Sequence, residues 1–322
     1  MCSPRFVWLV IVALASISLL IPPASADYKQ AVAFYNQGQF EKAIQELKPD
    51  LDRNPDWESG HRLLGLCYLG LKNNALAVSS FTRAVALKST AFSTYYGLGL
   101  AYFNMQRYED CIRALDQGEG FSAEKDKYGF YHLSGSAHFR LQRYAEAAND
   151  MTSAIRLNQS EWTDFSQLGI SYFNLNRLDE AIQALEKADS LKPGQGVIAE
   201  FLGKAYFKKG IAALSAKQYG QAVEFLQKAK DHAPKDGYTH YNLGEAYVFQ
   251  KNFPAAEKAY VQAAELLPAN VEIYSRMGLV YENLKKWDLA LNVYQKANQM
   301  SPSPKLKEAI ARVTEAKKAK KN

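Results

Sequence analysis

Cysteine is scarce in this chain, with three in 322 residues, and Cys2 falls in the first stretch of all. Cys67 and Cys111 are too few for a disulfide framework. No histidine stands beside either at ligand spacing, which leaves no metal site. Both read as small buried apolar side chains; a bridge between them in an oxidising compartment is the other reading, and spacing supplies no geometry for it. Histidine is sparse as well. His61, His132, His138, His232 and His240 are scattered, and none belongs to a His-Glu-x-x-His order. There is no Gly-x-Ser-x-Gly elbow and no phosphate-cradling Gly-rich loop. Nothing here assembles into catalytic machinery or a cofactor site, so the sequence reads as a non-enzyme.

Long apolar runs are missing after residue 26, so nothing later in the chain offers the roughly 20 apolar residues of a membrane span. The first 26 residues differ. Arg5 gives a short positive start, Phe6 to Ile21 is uncharged and mostly apolar, and Ala24-Ser25-Ala26 places small residues at both recognition positions of a cleavage site. This predicts a secretory signal peptide over 1–26, an exported (periplasmic or secreted) protein, and a mature chain from Asp27, which would cap the first helix. An uncleaved anchor is the rival reading, disfavoured because the run is short and Pro22-Pro23 ends it.

An excess of one charge is also missing from most of the chain. The sequence has 39 basic and 33 acidic residues. Setting aside Arg5 and the last twenty residues, which hold seven basic and two acidic side chains, leaves 31 of each between 27 and 302. The surplus therefore sits on one terminal segment. A nucleic-acid groove, which needs its basic residues spread along it, is excluded.

What is present is a repeat. In FSQLGISYFNLNRLDEAIQALEKADSLKP (165–193), Phe165, Leu168, Gly169 and Tyr172 share one face of a first helix. Ala181, Leu185 and Ala188 share one face of a second, and Pro193 closes it. Gly169 and Ala181 let two backbones approach. The small residue of the first helix recurs at Ala31, Gly65, Gly99, Gly135, Gly169, Gly210, Gly244 and Gly278, with spacings of 34, 34, 36, 34, 41, 34 and 34. An independent marker in the second helix gives the same series: Ala43, Ala77, Cys111, Ala147, Ala181, Ala222, Ala256 and Ala290. Closing prolines stand at Pro55, Pro193, Pro234, Pro268 and Pro302, with Ser89 and Gln159 in two of the remaining places.

A period of 34 with this order of small, aromatic, small and proline resembles the tetratricopeptide repeat family over residues 27 to 302. The resemblance implies an all-α fold: a right-handed α-solenoid superhelix of eight helix-turn-helix repeats, at about 27–57, 58–91, 92–127, 128–161, 162–195, 196–236, 237–270 and 271–302. Two irregularities need placing. Two extra residues near Gly118 to Asp126 predict a longer surface loop. Seven extra residues before Gly210 predict a first helix longer by two turns in repeat six, which would split repeats one to five from six to eight. The run KLKEAIARVTEAKKAKK predicts a helix over 303–322 that caps the last repeat and ends in a basic tail.

The resemblance also implies where a partner binds. In the family the first helices line a concave surface, and the residues facing it stand three before, and one, four and five after, the small-residue seat. On this chain those seats include Tyr35, Asn36, Arg62, Tyr96, Phe103, Asn104, His132, Phe139, Arg140, Phe173, Asn174, Phe207, Tyr241, Phe249 and Asn283. Rings with interspersed amides suit an extended peptide, since a ring buries area at low entropy cost and Asn can bond both peptide N–H and C=O. Arg62 and Arg140 near one end, with Glu245, Glu272 and Glu282 near the other, predict a charge gradient that orients it. The family's grip on a partner's C-terminal carboxylate is absent: Asn242 and Arg276 match two of its seats, but Phe207, Ile211 and Glu272 occupy the other three. The sequence thus predicts an exported interaction scaffold for a protein or extended peptide segment. The alternative is an envelope-associated factor whose basic tail contacts a membrane or anionic polymer.

Overall fold

The structure is a computed structural model that describes residues 26–319. The expected leader over 1–26, apart from Ala26, and the last three residues of the basic tail lie outside the described residues. Within them every regular element is helical, with seventeen α-helices and two single-turn 3-10 segments. The first four repeats pair α1 (Ala26–Asn36) with α2 (Phe40–Arg53), α3 (Glu58–Gly70) with α4 (Asn74–Ala86), α5 (Phe92–Asn104) with α6 (Tyr108–Gly118), and α7 (Lys127–Arg140) with α8 (Tyr144–Leu157). Then come α9 (Trp162–Asn174) and α10 (Leu178–Leu191), α11 (Gly196–Ser215) and α12 (Tyr219–His232). The last repeats are α13 (Gly237–Phe249) with α14 (Phe253–Leu266), and α15 (Val271–Asn283) with α16 (Trp287–Met300), followed by α17 (Pro304–Ala319).

The chain divides into two compact units, one ending at Ser171 and the other starting at Tyr172. The spacing predicts a break at the seven-residue insertion; the division falls earlier, inside α9, and nothing in the α9 sequence marks it. In the N-terminal unit the core runs through Ala43, Leu47, Leu63, Cys67, Ala77 and Phe81, and continues with Cys111, Leu115, Phe130 and Leu133. Both thiols are free and buried, and burial pushes each up to about 12. In the C-terminal unit Ala213, Ala222, Leu226 and Leu243 form one cluster. Tyr260, Ile273, Met277 and Tyr294 form another, on which α17 places Leu306, Ala309 and Val313.

The small-residue seat is tight wherever the contact is described. A methyl group on Gly65 would stand 2.8 Å from the Phe81 ring, one on Gly135 2.8 Å from Met151, and one on Gly210 2.6 Å from Leu226. Each of these glycines faces a large side chain four residues after the second helix's own small seat, so the hairpin closes by glycine against bulk.

The turn between the two helices of each repeat is equally regular. Seven residues after each seat the backbone is left-handed, with φ of 57–61° at Lys72, Gln106, Gln142, Asn176, Lys217, Lys251 and Lys285 and of 73° at Gly38. In repeat two the Lys72 N–H donates to the Leu69 carbonyl at 2.9 Å and the Asn73 N–H to that of Tyr68 at 2.8 Å, the paired bonds that close a helix C-terminus. The second helix of repeat two ends the same way. Where Ser89 replaces the closing proline, Lys88 takes φ 61° and the Ser89 N–H reaches the Ala84 carbonyl at 3.1 Å.

At the irregular places, α11 runs 20 residues where the next first helix, α13, runs 13. The stretch after Gly118 is more ordered than a loop: it forms two 3-10 turns, and Phe121 stacks on Tyr95 with centroids 5.4 Å apart. Asp27 stands inside the first turn of α1, whose helix begins two residues earlier than a cap at Asp27 requires.

Candidate protein-binding face

Four residues after the seat, the first helices of repeats one, three and four carry Tyr35, Phe103 and Phe139. Each ring is held by an aromatic at the start of its own second helix: Tyr35 by Phe40 at 5.8 Å, Phe103 edge-on by Tyr108 at 5.3 Å, and Phe139 edge-on by Tyr144 at 6.1 Å. Phe103 and Phe139 remain half-buried, so each presents ring surface in a fixed orientation. The helix-two aromatic stands nine residues after the seat, at Phe40, Tyr108, Tyr144, Tyr219, Phe253 and Trp287, a regularity visible in the sequence.

Several expected contact residues are not on the surface. Tyr35, Arg62, Tyr96 and His132 are all buried, at 3–7% exposure, packed against other residues of the chain. Burial raises the Tyr35 hydroxyl to about 12. Arg62 lies 3.4 Å from Glu58. Tyr96 packs on Phe92 with centroids 5.8 Å apart. His132 Nδ1 is 2.6 Å from the fully buried Asp164 carboxylate, which also accepts the Tyr128 hydroxyl at 3.2 Å. These four are corrected from partner contacts to internal ones.

The remaining candidates are accessible. Phe173, Phe207 and Tyr241 are half-buried; Asn36, Asn104, Arg140, Asn174, Phe249 and Asn283 are exposed. Some of the polar capacity is used internally. Asn104 donates to Asn74 at 3.1 Å and Asn283 to the Leu279 carbonyl at 2.8 Å. Phe249 stacks on Tyr219 at 4.8 Å and is still 53% exposed.

The predicted charge gradient is largely cancelled. Glu245 accepts the Tyr260 hydroxyl and lies 3.3 Å from Arg276, which also binds Glu272 at 2.9 Å. Glu282 accepts Tyr294 at 2.6 Å and two bonds from Arg312 of α17, at 2.9 and 2.7 Å. Burial alone would raise the Glu282 carboxyl; the Arg312 and Tyr294 hydrogen bonds outweigh it and hold the group below its ordinary value. With Arg62 paired too, Arg140 is left as the exposed cation of the N-terminal set. Two described lysines of the basic tail are likewise engaged, Lys317 with Asp288 and Lys318 with Glu315 at 3.0 Å.

Sequence reasoning missed the acidic partners of the histidines. Beside the His132–Asp164 pair, His138 Nδ1 lies 2.9 Å from Asp150, which also accepts Ser134 at 2.8 Å. Asp164 follows His132 by 32 residues, about one repeat, so the period itself was the signal. Each carboxylate gathers donors from its own unit and serves packing. Among the described residues no three His, Cys, Asp or Glu side chains are grouped to hold a metal. No described helix is long and apolar enough to cross a membrane.

Comparison with known proteins follows the same lines. Profiles of the tetratricopeptide repeat match residues 28–92, 132–196 and 241–303, and further ones match 92–120 and 213–265. Superkiller protein 3 of Schizosaccharomyces pombe is 22% identical over 187 residues, 56% of this chain and 14% of that protein. Hsp70-Hsp90 organizing protein 1 of Glycine max is 24% identical over 198 residues, 59% of this chain and 32% of that protein. The chain therefore spans less than two thirds of these relatives' length. Among solved structures, Naa15/Naa10 bound to HypK-THB has a TM-score of 0.56 at 14% identity, covering 87% of this chain and 42% of that one; the likeness is one of fold.

Proposed function

This chain belongs to the tetratricopeptide repeat family, whose members are protein-interaction scaffolds, and on that premise we propose that it is an exported scaffold holding an extended protein segment on the face of its first helices. The observation that carries the reading is the pair Phe103 and Phe139. Both are locked edge-on by a tyrosine of their own hairpin, so their exposed surface is already ordered before a partner arrives. Preorganised rings bind at lower entropic cost than flexible ones. Asn36, Asn104 and Arg140 stand near the same ends of their helices and supply polar contacts to a peptide backbone or an acidic side chain. Crosslinking in the native compartment followed by mass spectrometry identifies the partner, and replacing Phe103 and Phe139 with Ala is expected to abolish its capture while the helical spectrum stays intact.

Export rests on the first 26 residues alone. Intact mass of the exported chain is expected to correspond to a start at Asp27; a product that keeps residues 1–26 overturns cleavage. The tail reading has less support, because Arg312, Lys317 and Lys318 each have an acidic partner within the C-terminal unit.

A further inference from the structure

The two turns that lengthen α11 place a ring beyond the span of the neighbouring first helices. That ring, Phe201, meets Phe173 edge-on, with centroids 5.2 Å apart and planes at 84°. Two ammonium groups bracket the ring pair. Lys208 Nζ lies 4.3 Å from the Phe173 centroid, and Lys204 Nζ lies 5.1 Å from that of Phe201. Both rings are half-buried and both lysines are exposed.

Four lysines cap rings around α11, and three of them have a carboxylate from their own chain. Lys209, over Phe225 at 4.4 Å, is paired with Asp179. Lys228, over Tyr206 at 5.3 Å, is paired with Glu224 at 3.3 Å. Lys204 is paired with Glu200 along the helix. Lys208 has no ion pair among the described residues. Lys42 over Phe34 and Lys296 over Tyr274 also lack one, but each stands over a single ring and not at an edge-to-face pair.

We propose that Phe173, Phe201 and Lys208, with Lys204 at the rim, form a subsite for an acidic residue flanked by an apolar one in the partner's extended segment. The partner's carboxylate supplies the counter-charge that Lys208 lacks. The neighbouring apolar side chain covers the open ring edges, and by excluding water it strengthens the ion pair, which would contribute little if fully exposed. Both rings and both lysines belong to the C-terminal unit, so the subsite does not depend on how the two units are disposed. The proposal rests on the reading that the first-helix face holds a partner segment, and it adds the chemistry of that segment.

The test uses the full mature chain and three synthetic peptides that alternate Phe with Glu, with Gln or with Lys, followed by fluorescence anisotropy at low salt. The Glu peptide should bind about tenfold more tightly than the Gln peptide, the Lys peptide more weakly than either, and the preference should fade as salt is raised. Lys208→Gln should bring the Glu peptide down to the level of the Gln peptide and leave the Gln peptide unchanged. Lys209→Gln, already paired inside the chain, should change neither. If Lys208→Gln leaves the Glu preference intact, or weakens both peptides equally, the subsite is refuted. If the preference is absent while the Phe103 and Phe139 replacements still abolish capture of the native partner, the subsite fails and the face reading stands. If Lys208 controls the preference while those replacements leave capture untouched, the role given to Phe103 and Phe139 fails and the subsite stands.

Discussion

Lys251 holds a backbone φ of 59° in the turn of repeat seven, where repeat one has glycine. Left-handed backbone costs a non-glycine residue roughly 1–2 kcal/mol. Glycine at the same place returns roughly 0.5–1 kcal/mol of that through the freedom of the unfolded chain. Lys251→Gly should therefore stabilise the C-terminal unit by about 0.5 kcal/mol, seen as a higher urea midpoint at unchanged slope; a lower midpoint would show that the Lys251 side chain contributes more than its backbone costs. At Gly210 the sign reverses. Leu226 already fills the space a side chain would take, so Gly210→Leu should cost roughly 1–3 kcal/mol through overpacking, and an unchanged thermal midpoint would show the seat to be misassigned. Only one of these two features was within reach of the sequence. The seat is legible because a glycine every 34 residues has no cheaper explanation than a close helix contact. The left-handed turn is not, since seven of its eight occupants are Lys, Gln or Asn and only Gly38 announces it.

The elements were legible where their signals are local. Apolar spacing and closing prolines marked the second helices, and the seven extra residues before Gly210 predicted the long α11. Contacts reaching across about thirty residues were hidden. The bonds from Arg312 to Glu282 tie α17 to α15, yet in the sequence Arg312 reads as part of a basic tail and Glu282 as part of an acidic face. This tie has a pH signature. The Glu282 carboxyl titrates below its ordinary value of 4.5 in the fold, so it adds stability at neutral pH; that contribution is lost as pH falls below 4.5 and through the lower folded value. Glu282→Gln should be less stable than the parent at neutral pH, with the gap closing in acid. A gap that stays constant across that range would show that the carboxylate is not what holds α17.

At the scale of the whole molecule, charge and aromatics part company. The acidic and basic residues expected to polarise the first-helix face are spent on one another, through Glu245, Arg276, Glu282 and Arg312, and burial removes Arg62 and His132 from it. That outcome was not legible, because a charged side chain at a face-directed position reads the same whether its partner is a ligand or the next helix. Phe103 and Phe139 keep their place, half-buried and braced, so in the proposed function recognition falls to them and not to the tail. The most direct measurement compares two variants in one partner-capture assay: Phe103→Ala with Phe139→Ala, and a chain lacking Lys317 to Asn322. With both folded by circular dichroism, the ring variant should lose about a hundredfold in affinity, the scale of two interface aromatics, and the truncated chain less than threefold. Full capture by the ring variant together with its loss in the truncated chain would contradict the account and transfer binding to the basic terminal segment.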